Sequence, residues 1–245
     1  MAEVQFRSER TLIANACRVL AQRGLVDDIL GHISLRVSDT TALVRCRGPH
    51  ERGLRFTVAE DIHLVPLSGE AELPNGYQVP NELPLHLATL REDAGVEAVV
   101  HAHPPAIVTL SLTDAPIQPL VGAFNIPGMS MARNGVPVHP SSALIRTEER
   151  AADMLESRAG NNVCILRGHG LVATGSTVPQ AVIAALSLTA MAQVQLDLLR
   201  AGGTPRPVDE SDLSDLPDLG SAFTEGHVWR FLEAELEHAG LLLEE

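Results

Sequence analysis

Two histidines one residue apart, His101 and His103, end a β-branched run over 98–101 and are followed by Pro104-Pro105. In an extended segment alternate side chains share a face, so both imidazoles point the same way and stand close enough to chelate one cation. A third, His169, lies between Gly168 and Gly170, after another apolar run at 162–166. The glycines give the backbone freedom for that imidazole to project past the sheet edge toward a common point. Three neutral ring nitrogens fill part of a coordination sphere and leave positions for substrate, the property that separates a catalytic metal site from a closed structural one. Glu82, at the expected start of a helix upstream, supplies a carboxylate able to ligate the cation or move protons. His86 follows it by one helical turn and shares its face. Taken singly, each residue has a plainer use: a His-x-His pair in a strand is commonly core or surface, and a glutamate in a first helical turn commonly faces the helix dipole. Together they point to a catalytic metal site with an acid/base carboxylate beside it.

The elements that must position these groups follow from pattern. Residues 8–24 place Leu12, Ile13, Cys17 and Leu20 at helical spacing and close on a glycine. Short β-like runs at 33–37, 42–46 and 61–67, separated by turn-forming residues, suggest an antiparallel meander. Asn81 is the expected N-cap of a helix reaching about Asp93, and the prolines after His103 start the next helix. A helix at 147–158, strands at 162–166 and 171–174 around the Gly168-His169-Gly170 turn, and a long apolar helix from Thr177 through Leu199 come next. The acidic stretch 209–218 reads as a linker to a final amphipathic helix at about 222–243. The whole chain, 1–245, is expected to be a single domain with its core over about 7–205, and no internal repeat is evident.

Composition narrows the partners. The 245 residues are 45% hydrophobic and carry a formal charge of −13, from 31 acidic and 18 basic residues. Such a charge repels phosphate backbones and anionic lipid, so neither nucleic acid nor a membrane is expected as a partner. Cys17, Cys46 and Cys164 show no paired spacing, which fits a reducing cytoplasm. The first residues, MAEVQFRSER, lack an apolar signal core, and no window is read as long and uncharged enough to cross a bilayer.

The motifs Gly31-His32-Ile33-Ser34-Leu35-Arg36, Pro80-Asn81-Glu82 with His86, His101-Ala102-His103-Pro104 and Arg167-Gly168-His169-Gly170 occur in this order and spacing. The pattern, running from the first helix to about Arg200, resembles the class II aldolase/adducin family. The resemblance implies an α/β fold, three-layer α/β/α around a central, mostly antiparallel sheet. It also implies a homotetramer with active sites at subunit interfaces, metal ligation by His101, His103 and His169, and Glu82 as catalytic acid/base. One divalent metal ion per subunit is implied, Zn2+ first, with Mn2+, Fe2+ or Co2+ also accepted by imidazole.

Departures from the family's sugar-phosphate aldolases are informative. Their phosphate-binding asparagine is replaced by His32, the serine pair before the glutamate by Pro80-Asn81, and a Thr-x-Ser-Gly-like turn by a segment bearing Arg45, Arg47, Arg52 and Arg55. A phosphorylated sugar is therefore not the expected substrate. Guanidinium forks match carboxylates in bidentate geometry, so the arginines point to a carboxylic acid, although a solvated hairpin paired with Glu51, Glu60 and Asp61 is the plainer use of any one of them. His32, Asn81 and these four arginines are the candidate substrate-binding residues. The arginine segment looks like that of the family's decarboxylase branch, which acts on dihydroxylated aromatic acids of the 3,4-dihydroxyphthalate type. An aldolase acting on a non-phosphorylated hydroxy or oxo acid is the alternative. Phe124, Ile126 and Met129 are candidates for an apolar wall around the departing carboxylate, with ordinary core packing as their plainer use.

Overall fold

On strand β4 (Ala98–Ala102), Ala98, Val100 and Ala102 pack into one apolar cluster and Val99 into another. The same alternation divides Leu43 from Ala42 and Val44 on β2 (Thr41–Arg45), and Leu171 and Ala173 from Val172 on β7 (Gly170–Gly175). Period-two alternation with apolar residues at both phases requires cover on both faces of a sheet, and helices supply it. The structure, a computed structural model, describes residues 5–244. Its seven-stranded sheet has the order β3-β2-β1-β4-β7-β6-β5, with β1 (His32–Ser38), β3 (Ile62–Pro66), β5 (Val138–His139) and β6 (Val163–Leu166) completing it. Every neighbouring pair is antiparallel except β5 with β6.

One face is covered by α1 (Arg7–Gln22), α3 (Pro105–Ser111), α4 (Ile126–Asn134) and α6 (Val178–Arg200). The other is covered by α2 (Leu83–Glu92) and α5 (Glu148–Arg158), through Leu85, Leu90, Ala151 and Met154. This is the three-layer α/β/α arrangement with a mostly antiparallel sheet. The caps are local and chemical: Thr147 and Thr177 accept hydrogen bonds from the backbone of Arg150 and Gln180, and Pro179 sits in the first turn of α6.

Helix α6 corrects one expectation. Its 23 residues, with an 18-residue window of mean hydropathy 1.6, are long and apolar enough to cross a bilayer by length and composition alone. Here Val182, Ala185, Leu188 and Ala192 pack into the core against the sheet, so that apolar character is accounted for by burial. The acidic stretch 209–218 also differs from a bare linker. It contains α7 (Glu210–Ser214), whose Leu213 is buried and whose Glu210 pairs with Arg133. The last segment is not one helix over 222–243 but α8 (Gly220–Phe223), a π-helical turn at Thr224–Trp229, and α9 (Arg230–His238). Leu232 and Leu236 of α9 join the core, and Leu243 exchanges two hydrogen bonds with the Asn15 side chain of α1.

Candidate active site

Helix α2 begins one residue later than the asparagine signal suggests, with Glu82 rather than Asn81 as the residue preceding its first turn. This places the Glu82 side chain under the sheet, only 3% exposed, instead of in solvent at the helix end. Its Oε1 accepts a hydrogen bond from the backbone N–H of Ile145 at 2.9 Å. Its Oε2 lies 3.1 Å from His101 Nε2 and 3.5 Å from His169 Nε2. Burial alone would push the Glu82 carboxyl up, but the His101 and His169 imidazoles beside it hold it below the usual carboxylate range.

His101 is fully buried at the end of β4, and its Nδ1 donates to the backbone carbonyl of Leu171 at 2.9 Å. A carbonyl only accepts, so this bond fixes the proton on Nδ1 and turns the Nε2 lone pair toward the cluster. His103, two residues on and on the same face, brings its Nε2 to 2.9 Å from that of His101. Burial first, then the neighbouring His101 and His169, push the His103 imidazole down to about 3, so its ring is neutral around pH 7.

The third histidine is delivered by the β6–β7 turn, where the two glycines have different tasks. Gly168 adopts φ +63, the left-handed conformation that glycine enters without steric cost. At Gly170 a Cβ would stand 2.3 Å from Ala102 O and 2.7 Å from His103 Cδ2. Only a bare backbone lets the two strands approach closely enough to bring His169 beside His103. Gly170→Ala is therefore expected to destabilise the fold by about 1–3 kcal/mol through forced displacement of the strand end, and to lower metal affinity with it. Urea unfolding together with zinc titration checks this; an unchanged midpoint and unchanged affinity would contradict it.

Ligand atoms of Glu82, His101, His103 and His169 all lie within 4.8 Å of one another. Both ring nitrogens of His169 are buried without a hydrogen-bond partner, an arrangement that is costly unless something binds there. Two facing imidazole Nε2 atoms, an unpartnered third imidazole and a carboxylate are the donor set of a divalent transition-metal site, so these residues fit such an ion. A cavity of about 350 Å³, of the size that encloses a small molecule, opens beside the cluster. Glu82, His103 and His169 line it, with His32, Arg47 and Asn81 as further polar groups and Leu30 and Leu144 as apolar ones.

The other three candidate arginines are placed elsewhere. Arg45 is buried, and its Nη2 donates at 2.5 Å to Glu51 Oε1, which also accepts from Gly53 N. Arg52 and Arg55 are exposed, and the Arg52 guanidinium stands 5.3 Å from the centre of the Phe56 ring. Strand β2 ends at Arg45, and Arg47 beyond it forms an isolated antiparallel bridge with Gln78. Phe124 is 75% exposed, while Ile126 and Met129 border a different pocket against Leu213, so none of the three lines this cavity. Sequence reasoning missed three groups that hold the site: Ile145 N–H on Glu82, Leu171 O on His101, and Ser34. The Ser34 hydroxyl lies 2.7 Å from His86 Nδ1, and His86 Nε2 lies 2.8 Å from His32 Nδ1. Ser34 was recoverable, since it stands two residues from His32 on one face of β1.

Residues 11–196 match the family described as Class II Aldolase and Adducin N-terminal domain. The chain belongs to the class II aldolase and adducin family. Among class II aldolase relatives, it is 50% identical over 234 residues to a 3,4-dihydroxyphthalate decarboxylase from Arthrobacter keyseri, covering 94% of each chain. It is 44% identical to a 3,4-dihydroxyphthalate decarboxylase from Rhodococcus jostii, over 94% of this chain and 96% of that one. The crystal structure of an aldolase II superfamily protein from Pseudomonas syringae superposes with a TM-score of 0.80 at 20% identity, covering 98% and 96% of the two chains. That likeness places the fold; the α/β/α layers and antiparallel sheet of the class II aldolase family are those described above.

Proposed function

We propose that this protein is a metal-dependent decarboxylase of a dihydroxylated aromatic carboxylic acid of the 3,4-dihydroxyphthalate type, a carboxy-lyase. The observation that carries the reading is 50% identity, nearly end to end, to a decarboxylase of that substrate. The cavity agrees with it: one arginine for a carboxylate stands beside a carboxylate–imidazole cluster. His101, His103 and His169 hold the divalent ion, with zinc as the first choice by resemblance to the family. By the same resemblance the enzyme is a homotetramer with active sites at subunit interfaces, and its unpaired cysteines fit work in the cytoplasm.

The chemistry follows from where charge must go. Of two adjacent ring carboxylates, the one next to a hydroxylated carbon departs, because the phenolic oxygen beside it is the one that receives the electrons at the cluster. Glu82, ionised in the free site, takes the proton of the neighbouring hydroxyl as substrate binds and passes it to the ring carbon that bears this carboxylate, and the neighbouring oxygen takes up carbonyl character. The carbon–carboxylate bond then breaks, its electron pair returns to the ring and that oxygen, carbon dioxide leaves, and the oxygen takes a proton from solvent while Glu82 is left ionised. The divalent ion, when bound, supplies Lewis acidity that offsets the charge on that oxygen. Ile145 N–H holds one oxygen of Glu82 and so aims the other at the reacting centre. Arg47 grips the carboxylate that stays. A grip on the leaving group would stabilise the ground state more than the transition state and slow the step.

Arg47→Ala is expected to raise KM roughly ten- to hundredfold with kcat little changed, the loss of one charge-assisted contact made equally before and during the reaction. Steady-state kinetics decides it, and an unchanged KM removes Arg47 from substrate binding. The reading as a whole is tested by incubating zinc-loaded protein with 3,4-dihydroxyphthalate and measuring carbon dioxide. Release is the expected result. No release from any catechol acid, with cleavage of a hydroxy or oxo acid instead, would make the protein an aldolase.

A further inference from the structure

His32 and His86 are buried, polar and outside the four-residue cluster, and the scheme above gives neither a task. His32 pairs with His101 across β1 and β4, and the two ring centres are 5.0 Å apart, so His32 stands at the side of the metal-ligand face. Both His86 nitrogens are engaged: Nδ1 by Ser34 Oγ at 2.7 Å and Nε2 by His32 Nδ1 at 2.8 Å. Among the described residues, His32 Nε2 is the one ring nitrogen of the pair without a hydrogen-bond partner, on a ring that lines the cavity. A serine hydroxyl and a neutral imidazole each donate at one atom and accept at the same or another, so the chain has two self-consistent polarities. In one, Ser34 donates to His86, His86 donates to His32, and His32 Nε2 carries a proton to offer. In the other every bond is reversed and His32 Nε2 is an acceptor.

A ring nitrogen able to act in either sense matches a hydroxyl, which also donates and accepts. It does not match a phosphate or carboxylate, which at neutral pH mainly accepts and needs a cation such as Arg47. The hydroxyl next to the departing carboxylate is committed to the cluster. The second ring hydroxyl, para to the carboxylate that stays, has no other assigned partner.

We propose that His32 is a specificity-determining residue that binds the second ring hydroxyl, and that His86, anchored by Ser34, is the positioning residue that holds its ring for the task. The proposal rests on the decarboxylase reading for its choice of ligand, so its test uses binding rather than turnover. Zinc-loaded protein is titrated by calorimetry with 3,4-dihydroxybenzoate and with 3-hydroxybenzoate, which lacks only the second hydroxyl. His32→Phe should lose about tenfold of the wild-type preference for the dihydroxylated ligand, the value of one well-formed hydrogen bond in a closed site, while keeping its zinc. His86→Phe and the milder Ser34→Ala should lose preference in the same sense, and His86→Gln, which keeps an amide near His32, should recover part of it. A merely structural role would weaken both ligands alike and leave the ratio unmoved. The proposal is overturned if His32→Phe keeps the full preference, if Ser34→Ala leaves the ratio at the wild-type value, or if wild type shows no preference. A His32-dependent preference in a protein that releases no carbon dioxide would instead sink the decarboxylase reading and leave this contact standing.

Discussion

Glu82→Gln is expected to slow carbon dioxide release by about 10²–10⁴-fold while zinc content stays at the wild-type level, the range over which a positioned acid/base group acts. Glutamine keeps the size of the side chain and an oxygen that accepts from Ile145 N–H, so the packing beneath α2 survives. What is lost is the exchangeable proton near the reacting carbon. The distinction matters because the Glu82 Oε2 lies within reach of two candidate ligands, His101 at 3.1 Å and His169 at 3.5 Å, and so has a second reading as a metal ligand itself. Metal analysis beside the kinetics separates the two: lost zinc would make Glu82 a ligand, and unchanged turnover would remove it from the chemistry.

Removing the metal has an effect at least as large. Chelator-treated protein should release no carbon dioxide, and zinc added back should restore turnover with a break at one ion per chain. His101→Ala should fail to recover at stoichiometric zinc, because it deletes the ligand best fixed by its surroundings, the ring pinned through Leu171 O. Zinc should also raise the melting temperature of wild type, since ion at a thousandfold its Kd adds about 4 kcal/mol to a native state that alone binds it. His101→Ala should show little of that rise. Undiminished activity after exhaustive chelation would place the chemistry away from the cluster.

The centre of the site was legible because its geometry is local. A histidine pair at period two points one way, a glycine-flanked histidine marks a tight turn, and a glutamate at a helix start lies near both once α2 crosses the sheet. The α/β/α fold came from the family resemblance, and its elements were read from β-like runs, turn residues and the proline and threonine at helix starts. What escaped depends on tertiary packing. Whether an arginine reaches a cavity is decided by where its strand stops: Arg45 met Glu51 inside the protein, and Arg47 came to line the pocket only because β2 ends before it. The uncharged run in α6 was overlooked as a possible span, and only its packing against the sheet shows how that length is used. The bonds from Ile145 and to Leu171 are made by backbone atoms, which carry no residue signature.

The most direct measurement is the product formed in deuterated water. Zinc-loaded protein given 3,4-dihydroxyphthalate should yield one carbon dioxide per turnover and 3,4-dihydroxybenzoate bearing a single deuterium on the ring carbon between the carboxylate and the nearer hydroxyl, seen as a missing proton resonance. Recovery of intact substrate from fully metallated protein, or deuterium at any other ring position, would contradict proton delivery to that carbon and the account built on it.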